Sequence, residues 1–533
     1  MKKMPLGMQT FRKIVEGNYV YVDKTQHIYN LLNDASCYFL SRPRRFGKSL
    51  LLDTIAEVFS GDKELFKGLF IYDSDYSFEK HPVLRFDMSN IAGGTPERLE
   101  AELLFELSVC AEAEGFTINQ GSPSAAFKTL IRKLSDKYSQ RVVVLIDEYD
   151  KPILDQINNP KVAELSRAVL RGFYGVLKSM DPHLSFTFIT GVTKFTKTSV
   201  FSGLNNLSDI TLSQKYANIC GIEVNNLGKH FSEHIDALNS LSEFDDVTNL
   251  HDEILSWYDG YSWDGQTRVI NPFSLLSFFS AERFSSFWYA SGTPKFLLDL
   301  IKKRPRGYTD LMNLEIGEWS LDTFDIHAIE VEPLLFQTGY LTIKEIPPKQ
   351  RPPSYLLKIP NNEVRIAFNL HILAEFTESG ATFAETSHRK ISKALKEGNL
   401  QAFLEILRAL FASIPYEIHI GKEAYYRSIF YAIMNLLGFD VDAEVSVSRG
   451  RIDATLELED KVYVFEFKYE HCPPDASSDE KRELFDKTLN NGMKQLIDRG
   501  YAKKFESSGK QIYQAAFAFL GRDDIEMIDR LLS

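Results

Sequence analysis

The stretch Cys37-Tyr38-Phe39-Leu40-Ser41-Arg42-Pro43-Arg44-Arg45-Phe46-Gly47-Lys48-Ser49 decides the fold of the first half of the chain. Its apolar beginning predicts a short strand running as far as Ser41, and Leu50, Leu51, Ile55, Val58 and Phe59 then recur at helical spacing. A loop between a strand and a helix lets backbone N–H groups and the helix N-terminus converge on an anion, while a lysine adds mobile positive charge. Gly47 permits close backbone approach, Lys48 reaches β and γ phosphates, and the Ser49 hydroxyl completes a Mg2+ coordination sphere. Arg42 stands where the general motif has its first glycine. A solvated basic turn is the alternative reading of Arg42 to Lys48.

Working outward, Val83 to Phe86, Val142 to Ile146 and Leu184 to Ile189 read as further strands separated by amphipathic helical stretches, which implies a parallel, helix-covered sheet. The run Arg141-Val142-Val143-Val144-Leu145-Ile146-Asp147-Glu148 is apolar until it ends in paired acids, the pattern of a buried parallel strand delivering carboxylates to its C-terminal edge. Asp147 is expected to hold Mg2+ through water, and Glu148 to polarise the attacking water. Acids that merely cap the next helix are the competing account. On the neighbouring strand, Thr190 or Thr193 is placed either to sense the γ phosphate or to stabilise a loop.

A chain of 533 residues with 44% hydrophobic and 25% charged residues is long enough for several domains with ordinary soluble cores. No stretch approaches the roughly 18 apolar residues needed to cross a bilayer, and no apolar signal region follows Lys2 and Lys3, so the expectation is a cytoplasmic protein without membrane contact. Four scattered cysteines, Cys37, Cys110, Cys220 and Cys472, argue against a disulfide framework or a thiolate zinc site. The net charge of -12 restricts nucleic-acid contact to local basic patches.

After about Gly221, aromatic-rich helical patterns take over, with Trp257, Tyr258, Phe273, Phe278 and Trp288 expected in a core. The Pro-rich segment from Ile346 to Pro353 reads as a loop or hairpin tip. His230-Phe231-Ser232-Glu233-His234 matches the spacing of an inverted zinc-peptidase motif without a third ligand, and the match reads as accidental. Lys302-Lys303-Arg304-Pro305-Arg306 reads as a solvated charge run rather than a phosphate contact.

A second constellation lies near the C-terminus. Arg449-Gly450-Arg451-Ile452-Asp453 begins one strand and Val462-Tyr463-Val464-Phe465-Glu466-Phe467-Lys468 forms the next. If Glu459 and Asp460 make the turn, Leu458 pairs with Lys461 and Asp453 falls opposite Glu466, with Lys468 on the same face by period two. Burying that set beside Val462 and Val464 is costly unless a cation compensates. Asp453 and Glu466 would then hold one or two Mg2+ ions, with Mn2+ as a substitute, while Lys468 neutralises developing charge during phosphodiester hydrolysis. Glu423 falls on the apolar stripe of Tyr426, Phe430, Ile433 and Leu437 and faces inward. Ordinary cross-strand ion pairs, or a degenerate fold used for binding, are the alternative.

The motifs Tyr21-Val22-Asp23-Lys24-Thr25, Arg42 to Ser49, Ile146-Asp147-Glu148-Tyr149-Asp150, Thr190-Gly191-Val192-Thr193-Lys194-Phe195 and Phe201-Ser202-Gly203-Leu204-Asn205-Asn206 together closely resemble the AAA-ATPase-like family, a P-loop group related to AAA+ and STAND ATPases. An arginine in place of the first glycine is typical of that family. The resemblance implies ATP as ligand and places Tyr21 to Thr25 near the nucleotide base. It also implies that Val331 to Ile343 belongs to a winged-helix-like lid. The last part of the chain looks like the PD-(D/E)XK nuclease-like domain that accompanies this ATPase, which makes Glu423 a helix carboxylate of the site and Gln495 a polar residue on the following helix. In place of the usual small residue before that helix segment stand Asn490, Asn491 and Gly492.

The fold expected is thus α/β: a P-loop NTPase parallel-sheet core over residues 1–220, a helical, winged-helix-like lid over 221–360, a helical linker over 361–415 and a PD-(D/E)XK nuclease-like domain over 416–533. The nucleotide-contacting set is Arg42, Pro43, Arg44, Arg45, Phe46, Gly47, Lys48, Ser49, Asp147 and Thr190, with Glu148 as base. The function expected is an ATP-driven switch or motor that controls access of DNA or RNA to Asp453, Glu466 and Lys468, with assembly into a homo-oligomer left open. A nucleotide-dependent scaffold that binds nucleic acid or a partner without cutting is the alternative.

Overall fold

The computed structural model describes residues 1–91, 94–118, 121–194, 200–201, 204, 206–241, 244, 247, 249–288, 314–321, 330–348, 350–368, 380–412, 426, 430, 441–447, 450–473, 476–520 and 524–532. The chain divides into two compact units, residues 1–297 with 313–361, and residues 298–312 with 362–533.

The first unit is built on strands β1 (Cys37–Ser41), β2 (Val83–Asp87), β3 (Val142–Asp147), β4 (Leu184–Gly191) and β5 (Ser208–Asp209), in the spatial order β2-β3-β4-β1-β5. Every pairing in this sheet is parallel, so the C-terminal ends of the strands share one edge. All six residues of β3 are buried, as its unbroken β-branched and aliphatic run requires when helices cover both faces. The helices Pro96–Ala113 and Pro123–Tyr138 start from Thr95 and Ser122, whose hydroxyls accept the N–H groups of Arg98 and Ala125, each followed by a proline that needs no N–H partner. Phe127 stacks on Phe173 of the Pro160–Ser179 helix at 4.6 Å, and Phe86 of β2 packs edge-on against both.

The middle of the chain is helical, as its aromatic periodicity predicts. Helices Val224–Leu238, Leu250–Tyr258 and Pro272–Ala281 share an apolar core of their own, within which Trp257 stacks on Phe284 and Phe231 on Phe279. Strands β6 (Ile222–Glu223) and β7 (Val269–Ile270) close this layer. It is followed by β8 (Leu314–Gly317), the helices Glu318–Leu321 and Val331–Thr338, and the hairpin β9 (Thr342–Glu345) and β10 (Ser354–Lys358), with sheet order β8-β10-β9. That connectivity is winged-helix-like, and the Pro-rich segment forms the hairpin tip.

The second unit holds the sheet β11 (Val441–Val447), β12 (Gly450–Glu457), β13 (Lys461–Tyr469), β14 (Gln511–Phe519) and β15 (Ile525–Leu532) in chain order, antiparallel except for β13 with β14. Alternation on β13 separates two faces. Tyr463, Phe465 and Phe467 join Phe517 and Phe519 under the helices Gly380–Lys396 and Leu400–Ala412. Those helices lie in the stretch expected as a linker, and Arg408 fixes them to β15 through the Ile525 carbonyl at 2.8 Å and the Glu526 carboxylate at 2.7 Å. Val462 and Val464 face the other way, toward Met493 and Leu496 of the Ser478–Arg499 helix. The edge strand β15 has no counterpart in the sequence reading, because its exposed residues do not alternate apolar with polar. Among the described residues no helix is long and apolar enough to cross a membrane.

Candidate functional site

Three strand ends and one helix start meet at the C-terminal edge of the parallel sheet. Asp147 closes β3, and both its carboxylate oxygens are engaged: Oδ2 accepts from the Ser49 hydroxyl at 2.5 Å, and Oδ1 accepts from the Thr190 hydroxyl at 2.5 Å and from the Glu148 N–H at 3.0 Å. Ser49 lies in the first turn of the Lys48–Val58 helix and Thr190 near the end of β4, so one carboxylate joins the loop, the acid strand and its neighbour. Asp147 therefore does not cap the following helix. Glu148 adopts a left-handed backbone with φ 49°, a conformation costly for a residue with a Cβ. Burial pushes its carboxyl above the usual glutamate range, opposed by the positive charges of Lys48 and Arg44.

The loop itself is held from several sides. Gly47 has φ 90°, open to glycine without strain, and the Lys48 ammonium donates to the carbonyls of Arg42 and Pro43 at 3.0 Å each. Arg42 belongs to the loop by its backbone, but its side chain turns into the interior. The guanidinium donates to the carbonyls of Ser41 at 2.9 Å, Thr211 at 2.8 Å and Tyr216 at 3.3 Å, and lies 4.1 Å from the Trp263 ring. Burial lowers its pKa to about 10. Phe46 is buried edge-on against Tyr261 and Trp263, Arg45 covers Phe273 at 4.8 Å, and Trp288 donates to the Arg44 carbonyl at 3.1 Å. Pro43 packs so closely on Gly339 that a Cβ there would lie 2.8 Å from its ring.

The residues after Glu148 secure β4. Tyr149 donates its hydroxyl to the Thr193 carbonyl at 3.0 Å, and the buried Asp150 carboxylate accepts from the Val192 and Thr193 N–H groups and from the Thr193 hydroxyl at 2.6 Å. Thr193 thus ties down a loop, while Thr190 belongs to the carboxylate junction. Gly191 is required between them, since a Cβ would come within 2.4 Å of the Tyr149 ring.

A mostly apolar cavity of about 100 Å³ opens beside Phe46 and Gly47. Tyr21, Val22 and Lys24 line it from the N-terminal segment, and Phe231 and Leu276 from the middle helices. The Asp23 oxygens accept from the N–H and hydroxyl of Thr25 and from the Phe70 N–H. The His230 to His234 spacing has a structural outcome instead, with His234 against the Lys2 carbonyl at 2.9 Å and Glu233 paired with the N-terminal ammonium.

In the second unit, Leu458 donates to the Lys461 carbonyl at 2.7 Å and Ala454 pairs with Phe465, so the same register carried one residue further sets Asp453 opposite Glu466. Asp453 accepts the Phe467 N–H at 3.0 Å, and Lys468 Nζ lies 2.6 Å from the fully buried Glu466 carboxylate. A Cβ on Gly492 would lie 3.5 Å from Lys468, 3.9 Å from Glu466 and 3.0 Å from Ala516, which makes Gly492 the small residue that lets the Ser478–Arg499 helix approach this pair. Gln495 is half-buried one turn further along. Glu423 and the Lys302 to Arg306 run lie outside the described residues. Among the described residues no group of three or more His, Cys, Asp or Glu side chains is placed to hold a metal.

Trp263 carries no local signal of its role, since it acts through Arg42 more than two hundred residues away in sequence. Tyr149 and Asp150 belong to a family-like motif, and their hydrogen bonds to Val192 and Thr193 position the end of β4.

A lysine-bearing loop and strand-end acids on a β2-β3-β4-β1-β5 parallel sheet define a P-loop α/β core, here in a chain that also carries a mixed sheet with paired acids and a lysine. Residues 5–201 match the family described as predicted AAA-ATPase, and residues 421–527 match the PD-(D/E)XK nuclease superfamily. A protein of Azotobacter chroococcum mcd 1, described as an uncharacterized protein in vnfD 5'region, is 37% identical over 525 residues, covering 97% of this chain and 96% of that protein. The chain belongs to the AAA-ATPase-like family and carries a C-terminal domain of the PD-(D/E)XK nuclease superfamily.

Proposed function

We propose that the chain binds and hydrolyses ATP at the loop and strand-end acids of its first unit, and that nucleotide state controls a Mg2+-dependent nuclease-like site acting on DNA or RNA. The observation that carries the first part is the junction at Asp147, where the hydroxyls of Ser49 and Thr190 converge on one carboxylate beside Lys48. A P-loop needs a hydroxyl and an acid side by side in this way, because they share the metal that accompanies a triphosphate. Ser49 and Asp147 would hold that Mg2+, which would supply charge neutralisation for the triphosphate. Lys48 exchanges its two loop carbonyls for phosphate oxygens. Glu148 orients the attacking water and takes its proton. The apolar cavity beside Gly47 suits a purine base.

In the second unit, Lys468 neutralises Glu466 as the side chains stand, and the two acids together fit a divalent cation that would release the lysine toward a scissile phosphate. Cytoplasmic location accompanies this proposal. Plasmid, single-stranded DNA and RNA incubated with the protein and Mg2+ or Mn2+, with and without ATP, test it. Cleavage that depends on both ATP and Asp453 supports the coupled reading, and intact substrate under all conditions supports a binding scaffold instead.

A further inference from the structure

The phosphate loop carries three arginines, and the structure gives them different employment. The Arg42 guanidinium is fully buried on Trp263 and three carbonyls, and the Arg45 guanidinium lies over Phe273. Arg44 differs from both. Its backbone is fixed, because its carbonyl accepts from Trp288, but among the described residues no hydrogen bond or ion pair holds its half-buried guanidinium. Its charge acts on the Glu148 carboxylate together with that of Lys48. A half-buried cation without a counter-ion among the described residues, on a loop that cradles phosphates, is poised for charge that arrives with the ligand.

We propose that Arg44 is a catalytic residue of the triphosphate site, its guanidinium contacting the γ-phosphoryl oxygens within the same chain. The inference rests on the triphosphate reading given above and adds to it the source of transition-state charge. In the step concerned, the water oxygen forms a bond to the γ phosphorus as the bond to the bridging oxygen breaks. The electron pair of that bond leaves with ADP, and the water proton passes to Glu148. Inorganic phosphate and ADP result. Arg44 donates N–H groups to the equatorial oxygens on which charge accumulates, the part that other phosphoryl-transfer proteins assign to an arginine in cis or from a partner. Hydrolysis in this chain then needs no arginine from a neighbouring subunit.

The test is single-turnover hydrolysis of Mg-ATP by the full chain and by Arg44→Ala and Arg44→Lys, with Mg-ADP affinity and capture of ADP with aluminium fluoride measured on each. The expected result is a fall of about a thousandfold in rate for Arg44→Ala, partial recovery by Arg44→Lys or by added guanidinium, unchanged Mg-ADP affinity, and loss of the fluoride complex. The parent rate per chain should not vary with protein concentration. Arg44→Ala turning over at the parent rate, or a parent chain that binds Mg-ATP but neither hydrolyses it nor captures the fluoride complex, overturns the role of Arg44 and leaves the binding site standing. A parent chain without affinity for Mg-ATP removes both.

Discussion

The Ser49 hydroxyl donates to Asp147 Oδ2 at 2.5 Å, joining two residues 98 positions apart in sequence. The contact sets that hydroxyl and the strand-end acid at one point, where a shared metal is proposed. Asp147→Asn weakens the charge at this point and Ser49→Ala removes the hydroxyl, so each should cost about tenfold to a hundredfold in Mg2+-dependent ATP affinity, the worth of a hydrogen bond to a charged group. Calorimetric titration with Mg2+ and again with a chelator checks this. Equal losses in both titrations would assign the pair to folding rather than to metal.

Glu148 should separate binding from turnover. Glu148→Gln keeps the shape and removes the base, so ATP affinity is expected to persist while hydrolysis falls by about a hundredfold or more. Because burial raises the Glu148 carboxyl, the base is lost by protonation at a higher pH than for an exposed glutamate. The rate should therefore decline as pH falls through that raised value, and the decline should be absent from the residual activity of Glu148→Gln. A pH–rate profile of both proteins decides.

The nuclease-like site makes opposite predictions for its two charged partners. Lys468→Met leaves the fully buried Glu466 without its 2.6 Å cation and should cost about 3 kcal/mol of stability. Divalent cations should restore part of that loss, which urea melts with and without Mn2+ would reveal. Asp453→Asn retains an acceptor for the Phe467 N–H at 3.0 Å, so it should fold normally and lose cation binding and any cleavage.

Two glycines test the packing behind each site. Gly191→Ala sets a Cβ 2.4 Å from the Tyr149 ring and 2.7 Å from the Asp150 carboxylate, and should destabilise the first unit by about 1–3 kcal/mol while weakening nucleotide binding. Gly492→Val pushes the Ser478–Arg499 helix away from Ala516 and Lys468, and its effect should be confined to the second unit. Thermal unfolding of each variant, followed with and without nucleotide, distinguishes the two.

Much of this arrangement is legible in the sequence. β3 announces itself because a strand buried on both faces has no polar alternation to obscure it, and its acids mark the edge where it emerges. The register of β12 on β13 follows from counting back from the Glu459-Asp460 turn, since a two-residue period leaves little freedom once the turn is placed. Less accessible was the fate of Arg42, whose burial depends on Trp263 and on carbonyls of residues 211 and 216. Local sequence holds no trace of such partners. The cavity beside the loop is hidden for the same reason: Tyr21 and Phe231 meet across some two hundred residues. Strand β15 escaped because exposed edge strands lack the alternation that burial imposes.

The central claim is that Lys48, Ser49 and Asp147 form one triphosphate site, and equilibrium titration of the full chain and of Lys48→Ala with ATP in Mg2+ measures it most directly. Saturable binding to the parent chain that requires Mg2+ and disappears in Lys48→Ala is the predicted result. Identical titration curves for the two proteins, whether both bind or neither does, would contradict it.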